Sequence, residues 1–153
     1  MGRIDIIAID GSPQSRYAFD WYLENLYREG NTVVLAHVVE YGINIGLPGI
    51  AADVEGICAA VKRKNDEVEA MSEEFMSILR AKTIPAKRLI LNGNRPGEEI
   101  VKAAADEGAE LIIMGTRGLG KIRRTFLGSV SEHVIHHAHC PVTIVRQSEK
   151  PSP

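Results

Sequence analysis

Glycines, basic side chains and hydroxyl groups are concentrated in residues 115–129 of this chain. The stretch directly follows an unbroken apolar run, residues 111–114, of the kind that forms a strand covered on both faces of a parallel sheet. It ends at Gly128-Ser129, where a helical pattern begins. Glycines let backbone N–H groups approach an anion closely, and a helix N-terminus adds unpaired N–H groups with a positive partial charge. The stretch therefore predicts a phosphate-binding loop.

Two common nucleotide-binding motifs fit this loop poorly. Its glycines do not have the offsets of the dinucleotide fingerprint. A P-loop would match at Gly115, Gly120 and Lys121, but Ile122 stands where a hydroxyl group must hold magnesium. The single strand pattern that follows also lacks the acidic residue that completes such a site. Neither motif is predicted here.

The elements that must position the loop alternate regularly between strand and helix patterns. Strands are expected at residues 4–9, 32–39, 87–91, 110–114 and 142–145, and helices at 13–28, 53–81, from 95 onward and at 129–137. Such alternation implies an α/β fold, in which a parallel sheet carries helices on both faces. Ligands bind these sheets beyond the carboxyl ends of the strands, where the winding direction reverses. Asp10, Val38 and Gly115 lie at those ends.

The loop and several other landmarks resemble one known family. Gly115, Gly118, Gly128 and Ser129 form the pattern Gly-x2-Gly-x9-Gly-Ser, which is similar to the nucleotide-binding signature of the ATP-binding branch of the universal stress proteins. Further landmarks are Ile-Ala-Ile-Asp-Gly-Ser at residues 7–12, Val-Leu-Ala-His-Val at 34–38 and His-Cys-Pro-Val at 139–142. The resemblance covers residues 3–146.

This resemblance implies a Rossmann-like fold with an open five-stranded parallel sheet in the order 3-2-1-4-5. It also implies one ATP per subunit, with magnesium, in which Asp10 and Val38 hold the adenosine and the glycine pattern holds ribose and phosphates. The predicted nucleotide-binding residues are Ala8, Asp10, Val38, Met114, Gly115, Arg117, Gly118, Gly128, Ser129 and Val130. The last strand would lie at an open sheet edge and pair with its own copy, so a homodimer is expected.

Composition limits the other possibilities. With 18 basic and 20 acidic residues, the chain has no general attraction for nucleic acid or anionic membranes. No apolar run approaches the ~20 residues of a membrane span, and a strand begins too early to leave room for a signal peptide. We therefore expect a cytoplasmic protein with one domain, residues 1–147, and a disordered tail, residues 148–153.

Two features of the sequence have alternative interpretations. Asp10 could cap the first helix as well as bind a ligand. The cluster of His133, His136, His137 and His139 with Cys140 has the residue types of a metal site, but protonated histidines are also favoured at a helix C-terminus, and we predict no metal there. His37 follows a buried strand pattern and is predicted to be a packed core histidine.

Catalysis is not predicted. ATP hydrolysis needs a positioned water, a base and charge stabilisation. Glu40 is the one acid besides Asp10 that lies near a strand end, and nothing marks it as a base, so we favour a nucleotide-binding regulatory protein of the stress response. The alternative is an ATP-hydrolysing enzyme of the related adenine-nucleotide α-hydrolase group, whose Ser- and Gly-rich first loop is only faintly echoed at residues 10–15. A phospho-accepting receiver domain is disfavoured because Asn92 stands where it needs an acceptor aspartate.

Overall fold

A computed structural model describes residues 2–40, 54–116 and 128–147. Five strands alternate with four helices over these ranges. The strands are β1 (Ile4–Ala8), β2 (Thr32–Val39), β3 (Ala86–Asn92), β4 (Leu111–Gly115) and β5 (Val142–Val145), and the helices are α1 (Pro13–Asn25), α2 (Val54–Ala81), α3 (Pro96–Glu107) and α4 (Ser129–His137). The tail at residues 148–153 lies outside the described residues.

The five strands form one parallel sheet in the order β3-β2-β1-β4-β5. This confirms the fold class and the strand order. β1 is central, and the chain winds outward from it twice, first through β2 and β3 and then back through β4 and β5. The reversal lies between β1 and β4, which is where ligands bind in sheets of this type.

Alternate residues along the strands pack into two cores, one on each face of the sheet. On one face, α1 and α2 contribute Phe19, Tyr22, Phe75 and Leu79 to a core with the odd-numbered residues of β1 and β2. On the other face, α3 and α4 contribute Ile100, Ala103, Ala104 and Val134, which pack against the even-numbered residues. Helices on both faces are thereby confirmed, and the two cores hold the strand ends in fixed positions.

One polar network is buried at the amino edge of the sheet, opposite the predicted site. The Asp5 carboxylate is fully buried and accepts hydrogen bonds from the Arg3 guanidinium, from the Tyr22 hydroxyl at 2.7 Å and from Asn31 Nδ2 at 3.2 Å. Burial and the hydrogen bond to Asp5 raise the pKa of Tyr22 well above its usual range. The network thus satisfies a charge that would be costly to bury alone.

Helix α1 is shorter than the sequence pattern predicts. The pattern extends to Arg28, but the helix ends at Asn25. The N–H groups of Leu26 and Tyr27 both donate to the Tyr22 carbonyl oxygen, and the second of these bonds spans five residues, so the last turn is wider than an α-helical turn. No helix among the described residues is long and apolar enough to cross a membrane.

Candidate functional site

The carboxyl edge of the sheet contains a notch above β1. The register pairs Ala8 with Ala36 and Ile7 with Ile113, so β2 and β4 both continue past the point where β1 ends. A cavity of about 690 Å³ opens there, within the ~300–1,000 Å³ of typical small-molecule sites. The strand lengths themselves therefore create space for a ligand at the reversal point of the fold.

Eight of the ten predicted nucleotide-binding residues line this one cavity. They are Ala8, Asp10, Val38, Met114, Gly115, Gly128, Ser129 and Val130. The other two, Arg117 and Gly118, lie outside the described residues, as do the basic residues at 121–124. These residues come from β1 and the turn after it, from β2, from β4 and from the start of α4, so the cavity joins positions as far apart in the sequence as Ala8 and Val130.

The turn between β1 and α1 is fixed by its own side chains. Ser12 is the N-cap of α1, and its hydroxyl accepts from the Ser15 N–H at 3.2 Å. The Asp10 carboxylate accepts from both the N–H and the hydroxyl of Ser12. The buried Ser15 hydroxyl accepts from the Asp10 N–H and donates to the Asp10 carbonyl oxygen, each at 3.0 Å. Asp10 is therefore held at the cavity in one orientation. It fixes the capping residue Ser12 but is not itself the N-cap of α1, so the capping alternative for Asp10 is wrong.

The backbone of Val38 is directed into the notch. In the parallel ladder the even-numbered residues of β2 bond to β1, as the bond from the Ile9 N–H to the Ala36 carbonyl oxygen shows at 2.8 Å. The next even residue is Val38, and β1 has ended at that level. Among the described residues no group bonds to its N–H or its C=O on this side. A donor and an acceptor thus stand side by side at the cavity wall.

Three glycines line the cavity, and two of them, Gly115 and Gly128, differ in what a side chain would meet. A Cβ at Gly115 would lie 2.6 Å from the Gln14 carbonyl oxygen, so this glycine is required by the packing of β4 against α1. A Cβ at Gly128 would have no described atom within 4 Å. Gly128 is the N-cap of α4, and no described side chain caps it. The first turn of α4 lines the cavity, and within the described ranges no side chain accepts from its N–H groups.

Charged groups at the cavity rim include one that the sequence did not reveal. Glu40, at the end of β2, and Asp10 supply carboxylates. Lys64, on the exposed first half of α2, is the one lysine or arginine among the described lining residues. The 28-residue helix α2 is longer than the strands that it covers, and its first buried residue is Val68. The half before Val68 therefore extends past the strand ends, and this places Lys64 at the cavity.

The histidines near the C-terminus of α4 contact one another and the last turn of the helix. The rings of His133 and His137 stack at 4.0 Å between centroids, and His137 Nδ1 donates to the His133 carbonyl oxygen at 2.9 Å. His133 also packs against Gly97 of α3. Burial raises the pKa of the Cys140 thiol. Among the described residues, no three potential ligands are grouped to hold a metal ion.

Comparison with known proteins gives consistent matches. The pattern that defines the universal stress protein family matches residues 4–146. A universal stress protein of Methanocaldococcus jannaschii, MJ0531, is 33% identical over 150 residues, which cover 95% of this chain and 82% of the relative. A universal stress protein of Thermus aquaticus is 42% identical over 87 residues, which cover 57% of this chain and 61% of that protein.

Solved structures share the whole fold. The structure of M. jannaschii MJ0577 superposes with a TM-score of 0.75 at 27% identity, covering 98% of this chain and 99% of that one. An Arabidopsis thaliana member of the family, solved with AMP bound, gives a TM-score of 0.68 at 21% identity, over 99% and 96% of the two chains. A universal stress protein in complex with cAMP gives 0.56 at 21% identity, over 94% and 95%.

Proposed function

Because the chain belongs to the universal stress protein family, we propose that it is a regulatory protein of the stress response that binds an adenine nucleotide, ATP, at the notch above β1. Two fold relatives are described with AMP and with cAMP, which supports an adenine nucleotide in general. The sequence pattern ending at Gly128-Ser129 supports a ligand that also carries phosphates.

One observation carries the choice of base: the exposed N–H and C=O of Val38. Adenine presents an acceptor, N1, beside a donor, the N6 amine. The Val38 N–H can donate to N1 while its C=O accepts from the amine. Guanine presents a carbonyl oxygen beside an N–H, so each polar atom would meet a group of its own kind. An unpaired polar group is costly to bury, and the site should therefore select adenine.

The phosphates are expected at the other end of the cavity. The uncapped N-terminus of α4 offers N–H groups and a positive partial charge to an anion. No described atom lies within 4 Å of a Cβ built on Gly128, which supports a close approach of the ligand there. Asp10 and Glu40 provide carboxylates, of which Asp10 is oriented by Ser12 to meet ribose hydroxyls. Magnesium stays a prediction, and these carboxylates and the phosphates are the oxygen donors it would use.

Binding without rapid turnover, a homodimer and a cytoplasmic location complete the proposal. Among the described residues, neither carboxylate at the cavity, Asp10 or Glu40, has contacts that identify it as a general base for a water molecule. The outward groups of β5 would pair with a second copy, since β5 is the last strand on its side of the sheet.

Calorimetric titration of nucleotide-free protein with AMP and with GMP tests the function. We expect one site per chain for AMP and at least tenfold weaker binding of GMP, because two hydrogen bonds change from paired to opposed. Inosine monophosphate is the matched control, since it differs from AMP chiefly in reversing the same two polar positions. Equal binding of all three nucleotides, or of none, would contradict the proposal.

A further inference from the structure

The backbone hydrogen bonds between β1 and β2 end one bond earlier than their register would permit. Its last bond runs from the Ile9 N–H to the Ala36 carbonyl oxygen. By the same register, the next bond would run from the Val38 N–H to the Ile9 carbonyl oxygen. Ile9 and Val38 are both described, and this bond is not formed. Some other group must therefore satisfy the Ile9 carbonyl.

That group is the imidazole of His37. Its Nδ1 lies 2.7 Å from the Ile9 carbonyl oxygen. A carbonyl can only accept, so Nδ1 carries the hydrogen and donates. The imidazole lies on the α1 and α2 face of the sheet, because His37 shares the odd-numbered side of β2 with Val33 and Leu35. The Ile9 carbonyl is thus drawn to a side chain, away from the strand neighbour that would otherwise donate to it.

We propose that His37 is a positioning residue for base recognition: it occupies the Ile9 carbonyl and thereby keeps the Val38 N–H available to the nucleotide. This inference rests on the proposed function, in which Val38 meets the adenine edge. It also links the base to the proposed ribose contact, since Ile9 leads directly into the turn that orients Asp10. His37 itself need not touch the ligand.

The proposed role of His37 can be tested in the ligand-free protein through hydrogen exchange of the Val38 amide. In a His37→Val variant, the Ile9 carbonyl loses its donor and the Val38 N–H is the nearest backbone replacement. Valine suits a strand, so the sheet should persist. The ladder would extend by one bond, and the Val38 amide would then exchange its hydrogen with solvent more slowly. A purely structural role for His37 predicts the opposite, because loosening the sheet speeds exchange.

The test combines amide exchange with AMP titration on four proteins: wild type, His37→Val, His37→Asn and His136→Val. We expect Val38 exchange to slow at least tenfold in His37→Val and AMP affinity to fall about tenfold, the value of one hydrogen bond. Asparagine carries its amide nitrogen at the same number of bonds from the backbone as Nδ1. His37→Asn should therefore restore AMP affinity to within about threefold of the wild type. His136 is exposed on α4 and its variant should match the wild type.

Each failure has its own pattern. If the wild type binds AMP and His37→Val binds it equally well, only this inference is overturned. Val38 exchange that is unchanged or faster in His37→Val also overturns it, whatever the affinity. If the wild type binds no adenine nucleotide, the proposed function fails, and the role of His37 in base recognition fails with it.

Discussion

Two glycines at the cavity should respond in opposite ways to an added side chain. Gly115→Ala places a methyl group 2.6 Å from the Gln14 carbonyl oxygen, a contact with backbone that cannot simply rotate away. Gly128→Val places its Cβ where no atom of the described residues lies within 4 Å, and the backbone angles of Gly128, φ −61 and ψ 157, are ordinary for valine. The first change should damage the fold, and the second should damage binding.

The magnitudes separate the two cases. Forcing an extra methyl group into a packed site costs ~1–3 kcal/mol, and for a domain of this size each kcal/mol lowers the melting temperature by ~2–4 °C. Ligand-free Gly115→Ala should therefore melt ~2–12 °C below the wild type. Gly128→Val loses a favourable N-cap worth ~1 kcal/mol and should melt only a few degrees lower. ATP at 100 times its dissociation constant stabilises the wild type by ~2.7 kcal/mol, or ~5–10 °C.

Thermal melts with and without ATP measure both effects on the same samples. Gly115→Ala should keep most of the ATP shift, since the contacts that its methyl group would make are with the backbone of Gln14 and Ser15 in α1. Gly128→Val should lose the shift because the valine occupies the space of the phosphates. An undiminished ATP shift in Gly128→Val would refute this reasoning and move the phosphates away from α4.

Three further predictions concern stability, assembly and turnover. The unfolded Tyr22 phenol ionises near pH 10 while burial and Asp5 keep it protonated in the folded state, so wild-type stability should fall as pH rises above 10. Urea melts of Tyr22→Phe should show a smaller fall, and an equal fall would contradict the role of Tyr22. The Ile144 N–H points away from β4, because the odd-numbered residues of β5 bond to β4. Ile144→Pro should therefore give monomers in light scattering without breaking the hydrogen bonds between β4 and β5. Thr143→Pro, the control, removes one of those bonds and should destabilise the fold of the single chain. An unchanged dimer mass in Ile144→Pro would place the interface elsewhere. Phosphate release from ATP should stay far below ~1 s⁻¹, and faster hydrolysis that is lost in Glu40→Gln would favour the enzymatic alternative.

Local patterns in the sequence were sufficient for most of the fold. Regular alternation predicted the parallel sheet, and the first helical pattern predicted that α1 begins at Pro13. The bounds of α4 and β5 agree with the pattern to the residue. The strand order could not be predicted from local patterns, because alternation of strands and helices permits several orders. The resemblance to a family implied the order 3-2-1-4-5, which the structure confirms.

Contacts between residues that are distant in the sequence could not be predicted from local sequence patterns. His37 was predicted to be a packed core histidine, yet it is half-buried, lines the cavity and bonds to Ile9, 28 residues away. Its partner depends on the register between β1 and β2, which no local pattern specifies. Asp5 is a charged residue within an otherwise apolar strand, and its carboxylate is satisfied by three donors that are distant from one another in the sequence, Arg3, Tyr22 and Asn31. Lys64 reaches the cavity because α2 extends past the sheet, which depends on helix placement as well as on helix length.

Nuclear magnetic resonance titration of ¹⁵N-labelled protein with AMP tests the central claim most directly. The claim is that an adenine nucleotide binds in the notch above β1, with its base against Val38 and its phosphate at the start of α4. We predict that the Val38 amide shifts downfield as it gains an acceptor, and that the amides of Ser129 and Val130 shift with the same dissociation constant. The amides of Arg3 and Asn31, at the opposite edge of the sheet, should stay in place. Shifts confined to that opposite edge, or no shifts at millimolar AMP, would contradict the account.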